Sequence, residues 1–213
     1  MDSFAILKDT LIEKSVTLVA VSKTKPNESI LKLYEQGQRI FGENKVQEVV
    51  AKYESLPKDI EWHLIGHLQS NKVKYIAPFI TMIHSVDSIK LAKEINKQAG
   101  KNDRTIDVLI QVKIAEEETK FGSDLAQTND LIQYVLDSCP HLIVKGFMGM
   151  ATFTEDDNQV KAEFSKLNDL YTTKKASIES IDTLSMGMSG DYKLAIESGS
   201  NMVRIGSLLF GTR

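Results

Sequence analysis

Cysteine is nearly absent from these 213 residues: Cys139 stands alone. A single thiol excludes an intramolecular disulfide, and Pro140 beside it places Cys139 near a helix end as a structural thiol rather than a nucleophile. Long apolar runs are missing too. None approaches the roughly 20 residues of a membrane span, and Met1-Asp2-Ser3-Phe4 lacks the basic flank and apolar stretch of a signal peptide, which predicts a cytoplasmic protein. Positive charge is not in excess, since 26 Lys and Arg against 29 Asp and Glu give a net charge of -3. The lysines are scattered, which argues against a nucleic-acid partner, because phosphate binding by counterion release needs clustered Lys and Arg. No repeat, low-complexity tract or linker divides the chain. One domain over residues 1–213 is expected, and 42% hydrophobic residues suffice for its core.

What is present is alternation. Helical spacing of Phe4, Leu7 and Leu11 predicts a leading amphipathic helix over 2–14. Strands are then predicted at 17–22, 39–42, 62–65, 82–85, 108–112, 142–147, 183–186 and 202–205. Helices are predicted between them at 27–36, 46–55, 70–76, 88–99, 124–137, 159–175 and 192–198, with Asn27 as a cap. About eight strands alternating with helices predict parallel pairing with right-handed crossovers. Eight is the number that closes an α/β barrel of the (β/α)8 TIM type; a doubly wound open sheet is the alternative.

Leu18-Val19-Ala20-Val21 is apolar without interruption, the composition of a strand buried on both faces, and Lys23 follows at its end. Pro26 disfavours helix at Lys25, so the chain must turn there. An amine held at the rim of a packed core is disfavoured in its charged form, which is how lysines become nucleophiles for carbonyl groups. Lysines at strand ends are also common as solvated caps, and spacing alone leaves both readings open.

In a barrel the loops after the strands carry the site. Here they present Lys23, Gly42-Glu43-Asn44, Gly66-His67-Leu68-Gln69, Met148-Gly149-Met150, Gly187-Met188-Ser189-Gly190 and Arg204-Ile205-Gly206-Ser207. Ser189 is expected to open a helix, and a hydroxyl, free N–H groups and a helix N-terminus favour a phosphate dianion. Gly206 and Ser207 repeat the device one strand later, where barrels most often bind phosphate. Taken singly, these glycines could equally serve tight turns. A phosphate cradle together with a reactive lysine suggests pyridoxal 5'-phosphate.

Val19-Ala20-Val21-Ser22-Lys23-Thr24-Lys25-Pro26, Phe41-Gly42-Glu43-Asn44, the run from Trp62 to Lys72, Leu184-Ser185-Met186-Gly187-Met188-Ser189 and Met202-Val203-Arg204-Ile205-Gly206 resemble the pyridoxal phosphate homeostasis proteins, a family similar to the barrel domain of alanine racemase. The resemblance runs from about Leu18 to Gly211. It implies that Lys23, rather than Lys25, is the Schiff-base lysine. It implies that Ser189, Gly190, Gly206 and Ser207 contact the phosphate, that Asn44 and His67 line the cofactor, and that Met148 lies in a pocket loop. It also implies Arg204 beside the pyridine nitrogen, where a permanent cation disfavours protonation and leaves the ring a weaker electron sink. In racemases a tyrosine on a second, C-terminal domain supplies the opposing base. This sequence stops at Arg213, so that domain is expected to be absent. Holding the cofactor and handing it to PLP-dependent apoenzymes, as a monomer, is the expected function; a racemase-like enzyme is the alternative.

Lys113 stands where the family commonly has asparagine, and reads as a solvated lysine. His63 and His67 are four apart, but Trp62, Leu64 and Ile65 read as strand and Gly66 breaks it, which disfavours a helical zinc pair. Glu116-Glu117-Glu118 reads as a solvated loop, and Glu155-Asp156-Asp157-Asn158 as an acidic turn and helix cap; neither has the alternating ligands and glycine of a calcium loop.

Overall fold

The computed structural model describes residues 3–116 and 122–211; Glu117, Glu118 and Arg213 lie outside them. Eight parallel strands close into a barrel in sequence order. They are β1 (Thr17–Val21), β2 (Ile40–Glu43), β3 (Glu61–Leu64), β4 (Met82–Val86), β5 (Ile106–Gln111), β6 (Leu142–Met148), β7 (Thr183–Ser185) and β8 (Met202–Ile205). Closure is made by β1, which pairs with β2 on one side (Ala20 with Phe41) and with β8 on the other (Val19 with Arg204).

The helices are α1 (Ser3–Glu13), α2 (Asn27–Glu35), α3 (Val46–Ser55), α4 (Val73–Ile76), α5 (Ile89–Lys101), α6 (Leu125–Ser138), α7 (Asp157–Lys175), α8 (Tyr192–Glu197) and α9 (Ser207–Phe210). A 3-10 turn at Ser70–Lys72 leads into α4. Local chemistry sets several starts. Ser88 caps α5 by accepting the Leu91 N–H, and Asp124 and Gln127 form a reciprocal capping box at α6. Asp156 caps α7 by accepting the N–H groups of Asn158 and Gln159. Among the described residues no helix is long and apolar enough to cross a membrane.

β1 is buried on both faces, as its composition requires. Leu18 and Ala20 join the large core between sheet and helices, while Val19 joins Met82, Leu109, Met148 and Met202 in a second cluster. Each of these Val, Leu and Met side chains contributes about 1.5–3 kcal/mol by leaving water.

Two local expectations are corrected. Asn27 does not cap α2; Pro26 holds the capping position, and Asn27 is the first helical residue, its amide donating to Ser55 Oγ at 2.9 Å. Proline needs no N–H partner and has φ preset for a helix start, so it displaces the polar cap. Ser189 does not open a helix, because α8 begins only at Tyr192 and Ser189 lies in the preceding turn. Strand and helix ends otherwise shift by one or two residues. β1, for instance, stops before Ser22 because the Ser22 carbonyl turns to the Lys25 N–H and the Lys52 amine.

Candidate functional site

The period of two along β1 decides where Lys23 goes. Val19 pairs with Arg204 and Val21 with Gly42, which sets these residues on the interior face. Lys23 continues that parity over the barrel mouth, while Ser22 takes the opposite parity and bonds to Glu43 and Lys52. The turn itself is closed by the Lys25 N–H donating to the Ser22 carbonyl at 3.0 Å, with Thr24 at φ 65°. Lys23 is half-buried. Lys25 points elsewhere: its amine donates to the carbonyls of Phe210 (2.9 Å) and Gly211 (3.2 Å) at the end of α9.

A cavity of about 330 Å³ opens at this rim. Lys23, Asn44, Ser189, Gly190, Arg204, Gly206 and Ser207 line it, together with Val21, Ile65, Met150 and Met188. Thus most of the residues singled out in the sequence come together. Two do not line it. Met148 is fully buried in the cluster of Val19 and Leu109, and Met150, two residues on, faces the cavity instead. His67 is exposed on the loop past Gly66. Gly66 is needed there, since a Cβ would stand 2.4 Å from the Asn44 carbonyl oxygen. Of the two histidines four apart, His63 is buried on β3 and His67 is exposed.

Two loops supply unengaged backbone donors. Gly187 adopts φ +89°, and a Cβ on it would meet the Ala195 Cβ at 2.6 Å, so only glycine fits. Asp191 Oδ1 accepts the Met188 N–H at 2.6 Å, and Ser189 Oγ accepts the Gly206 N–H at 3.3 Å, which joins the loops after β7 and β8. Among the described residues, the N–H groups of Ser189, Gly190, Ser207 and Leu208 donate to no group of the protein. Neighbouring unpaired N–H groups of this kind suit an anion.

Arg204 is buried at this cavity and is held by neutral acceptors. Its Nη1 donates to Ser185 Oγ (2.6 Å) and the Ser185 carbonyl (2.8 Å), and its Nη2 to the Gly149 carbonyl (3.0 Å). No carboxylate among the described residues forms a salt bridge with it. Burial lowers its pKa to about 10, which leaves it charged at neutral pH. The chain of contacts continues inward. Because arginine can only donate, the Ser185 hydroxyl turns its proton to His84 Nδ1, 3.4 Å away. His84 Nε2–H then donates to His63 Nδ1 at 2.9 Å. Burial pushes the His63 pKa down to about 3, and burial with the nearby charges of His63 and Arg204 holds His84 well below the usual range. The site can thus bind an anion on its loops and present an amine to an electrophile beside a buried cation.

The family model of the alanine racemase N-terminal domain matches residues 3–213. A pyridoxal phosphate homeostasis protein of Aquifex aeolicus is 43% identical over 203 residues, covering 94% of this chain and 89% of that one. The chain belongs to the pyridoxal phosphate homeostasis protein family. The structure of PipY from Synechococcus elongatus with PLP bound is similar at a TM-score of 0.89 and 34% identity, with 99% of each chain covered. An alanine racemase of Streptomyces lavendulae shares the fold at a TM-score of 0.73 and 13% identity, over 95% of this chain and 55% of that one.

For this family member, reading the sequence named the loops of Met150 and Met188 but did not single out those two side chains, and it missed the Ser185–His84–His63 chain. A signal for the chain existed: His63 and His84 are polar residues inside β3 and β4, and the strands of a parallel barrel are buried on both faces.

Proposed function

We propose that this chain holds pyridoxal 5'-phosphate, with Lys23 tethering the aldehyde as a Schiff base and with the loops of Ser189, Gly190, Gly206 and Ser207 receiving the phosphate. When bound, the group supplies an aldehyde and an electron-withdrawing ring. The observation that carries the reading is the single cavity shared by the Lys23 amine, the unengaged N–H groups and the buried Arg204 guanidinium. The family names and the PLP-bound PipY structure support the choice of ligand. Arg204 beside the ring nitrogen would keep that nitrogen unprotonated and the ring a weak electron sink.

Among the described lining residues only Lys23 and Arg204 are ionisable, and Arg204 is already engaged by Ser185 and Gly149, which supports holding the cofactor over acid–base chemistry. The proposed role is therefore cofactor homeostasis and delivery to PLP-dependent apoenzymes, as a cytoplasmic monomer. Borohydride treatment of the loaded protein followed by peptide mass spectrometry should place the reduced adduct on Lys23; an adduct elsewhere, or none, overturns the assignment. The barrel fold shared with alanine racemase makes amino-acid racemisation the contrasting reading. Rapid protein-dependent exchange of amino-acid α-protons in deuterated water would establish it.

A further inference from the structure

The turn that carries Lys23 is fastened from outside the barrel. The Lys52 ammonium has three N–H groups and three acceptors: Glu43 Oε1 at 2.6 Å, the Ser22 carbonyl at 2.8 Å and Glu48 Oε1 at 3.0 Å. Glu48 Oε1 also accepts the Thr24 N–H, and the Ser22 hydroxyl donates to Glu43 Oε1 at 2.6 Å. Both chain neighbours of Lys23 are therefore tied to α3, one through Lys52 and one through Glu48, which lie one helical turn apart.

The anchor is rigid for electrostatic reasons. Glu43 and Lys52 are both buried, and an ion pair in low dielectric with every ammonium proton used has little freedom to rearrange. Thr24 occupies the left-handed region without being glycine, so the turn depends on outside contacts to persist. Neither Glu48 nor Lys52 lines the cavity, and their influence on it passes through the backbone of the turn.

We infer that Glu48 and Lys52 are positioning residues for Lys23: α3, through these two side chains, aims the Lys23 amine and so sets the rate at which it condenses with the aldehyde. This rests on the reading of Lys23 as the tether. In that condensation the Lys23 nitrogen lone pair forms a bond to the aldehyde carbon, and the carbonyl oxygen leaves as water with both protons of the neutral amine. No oxidant, reductant or other reactant is needed.

Glu48 is the residue to vary, because it is partly solvated and its loss leaves the Lys52–Glu43 pair intact. Glu48→Ala removes the acceptor for the Thr24 N–H, whereas Glu48→Gln keeps a carbonyl oxygen there. Pyridoxal 5'-phosphate would be added to cofactor-free protein and adduct formation followed by stopped-flow absorbance. Glu48→Ala should condense about tenfold more slowly, the kinetic equivalent of one lost hydrogen bond to a charged group. Glu48→Gln should recover most of the rate. Affinity for pyridoxine 5'-phosphate, which keeps ring and phosphate but lacks the aldehyde, should be unchanged in both variants. An unaltered rate in Glu48→Ala, or an equal loss of pyridoxine 5'-phosphate affinity, overturns the positioning role. If the unaltered protein yields no adduct at Lys23, the reading of the tether fails first and takes this inference with it.

Discussion

The Lys25 amine donates to the Phe210 carbonyl at 2.9 Å, and so binds the C-terminal end of α9 to the turn that presents Lys23. The other end of α9 begins at Ser207, on the cavity. Two lysines two residues apart thus do different work: one faces the cavity, and the other joins its amine-bearing turn to its donor-bearing loop.

That division predicts opposite outcomes for two substitutions. Lys23→Ala should abolish the borohydride-trapped adduct. Lys25→Met should leave the adduct on Lys23 and weaken pyridoxal 5'-phosphate binding by about tenfold at most, since a hydrogen bond from a charged group is worth about 1.5–3 kcal/mol and solvent at Gly211 screens part of it. Peptide mapping and an absorbance titration distinguish the two. Retention of the adduct in Lys23→Ala would show that another amine is the tether.

Gly187 and Gly190 should likewise respond differently to alanine. At Gly187 the positive φ and the nearby Ala195 Cβ make Gly187→Ala costly, by about 1–3 kcal/mol, and thermal unfolding should show it. At Gly190 a Cβ would meet nothing within 4 Å, so Gly190→Ala should melt with the unaltered protein. Its methyl group would nevertheless occupy space beside the unengaged N–H groups, and affinity should fall about tenfold if one of those hydrogen bonds to phosphate is lost. Undiminished affinity in Gly190→Ala would remove the phosphate from that loop.

The barrel was legible because its signal is collective: β1 reads as a doubly buried strand, and strands alternate with helices along the whole chain, some of them marked by caps as at α5 and α6. The rim was legible for the same reason, since strand ends in a barrel converge on one face. Single positions were less so. Met148 and Met150 differ by one strand period, and only the length of β6 decides that Met148 stays in the core. Lys52 carried no signal at all. It sits in an ordinary amphipathic helix, and nothing in local spacing says that its amine turns inward to meet Glu43, nine residues back at the end of β2.

The buried Glu43–Lys52 pair predicts a non-additive effect on stability. Lys52→Met leaves Glu43 buried without its cation, and removing one partner of such a pair costs about 3–5 kcal/mol. Burial already raises the Glu43 pKa against the opposing hydrogen bonds from Lys52 and Ser22, so Glu43 should protonate in that variant. Adding Glu43→Gln should restore a large part of the loss, because no uncompensated charge remains. Urea unfolding of both single variants and the double variant measures the coupling. Additive losses would show that the two groups do not depend on each other.

The His63–His84 contact makes stability depend on pH in a defined direction. Folded His63 has its pKa pushed down to about 3, against an ordinary value of 6.5, so between these pH values the unfolded chain binds a proton that the folded chain refuses. Stability should therefore be complete above pH 6.5 and decline as the pH falls toward 3, by about 1.4 kcal/mol per pH unit for this group alone. From pH 7 to pH 5 that is about 2 kcal/mol, and His84, displaced in the same direction, adds to it. Urea midpoints at pH 7 and pH 5 would be compared with those of the double variant His63→Gln, His84→Gln, in which amides replace the imidazoles and no proton is taken up on unfolding. The variant should start less stable and lose far less over the same interval. An equal loss in both proteins would mean that the imidazoles are not held neutral by the fold, and the donor–acceptor order inferred from Arg204 through Ser185 to His63 would fall with that result.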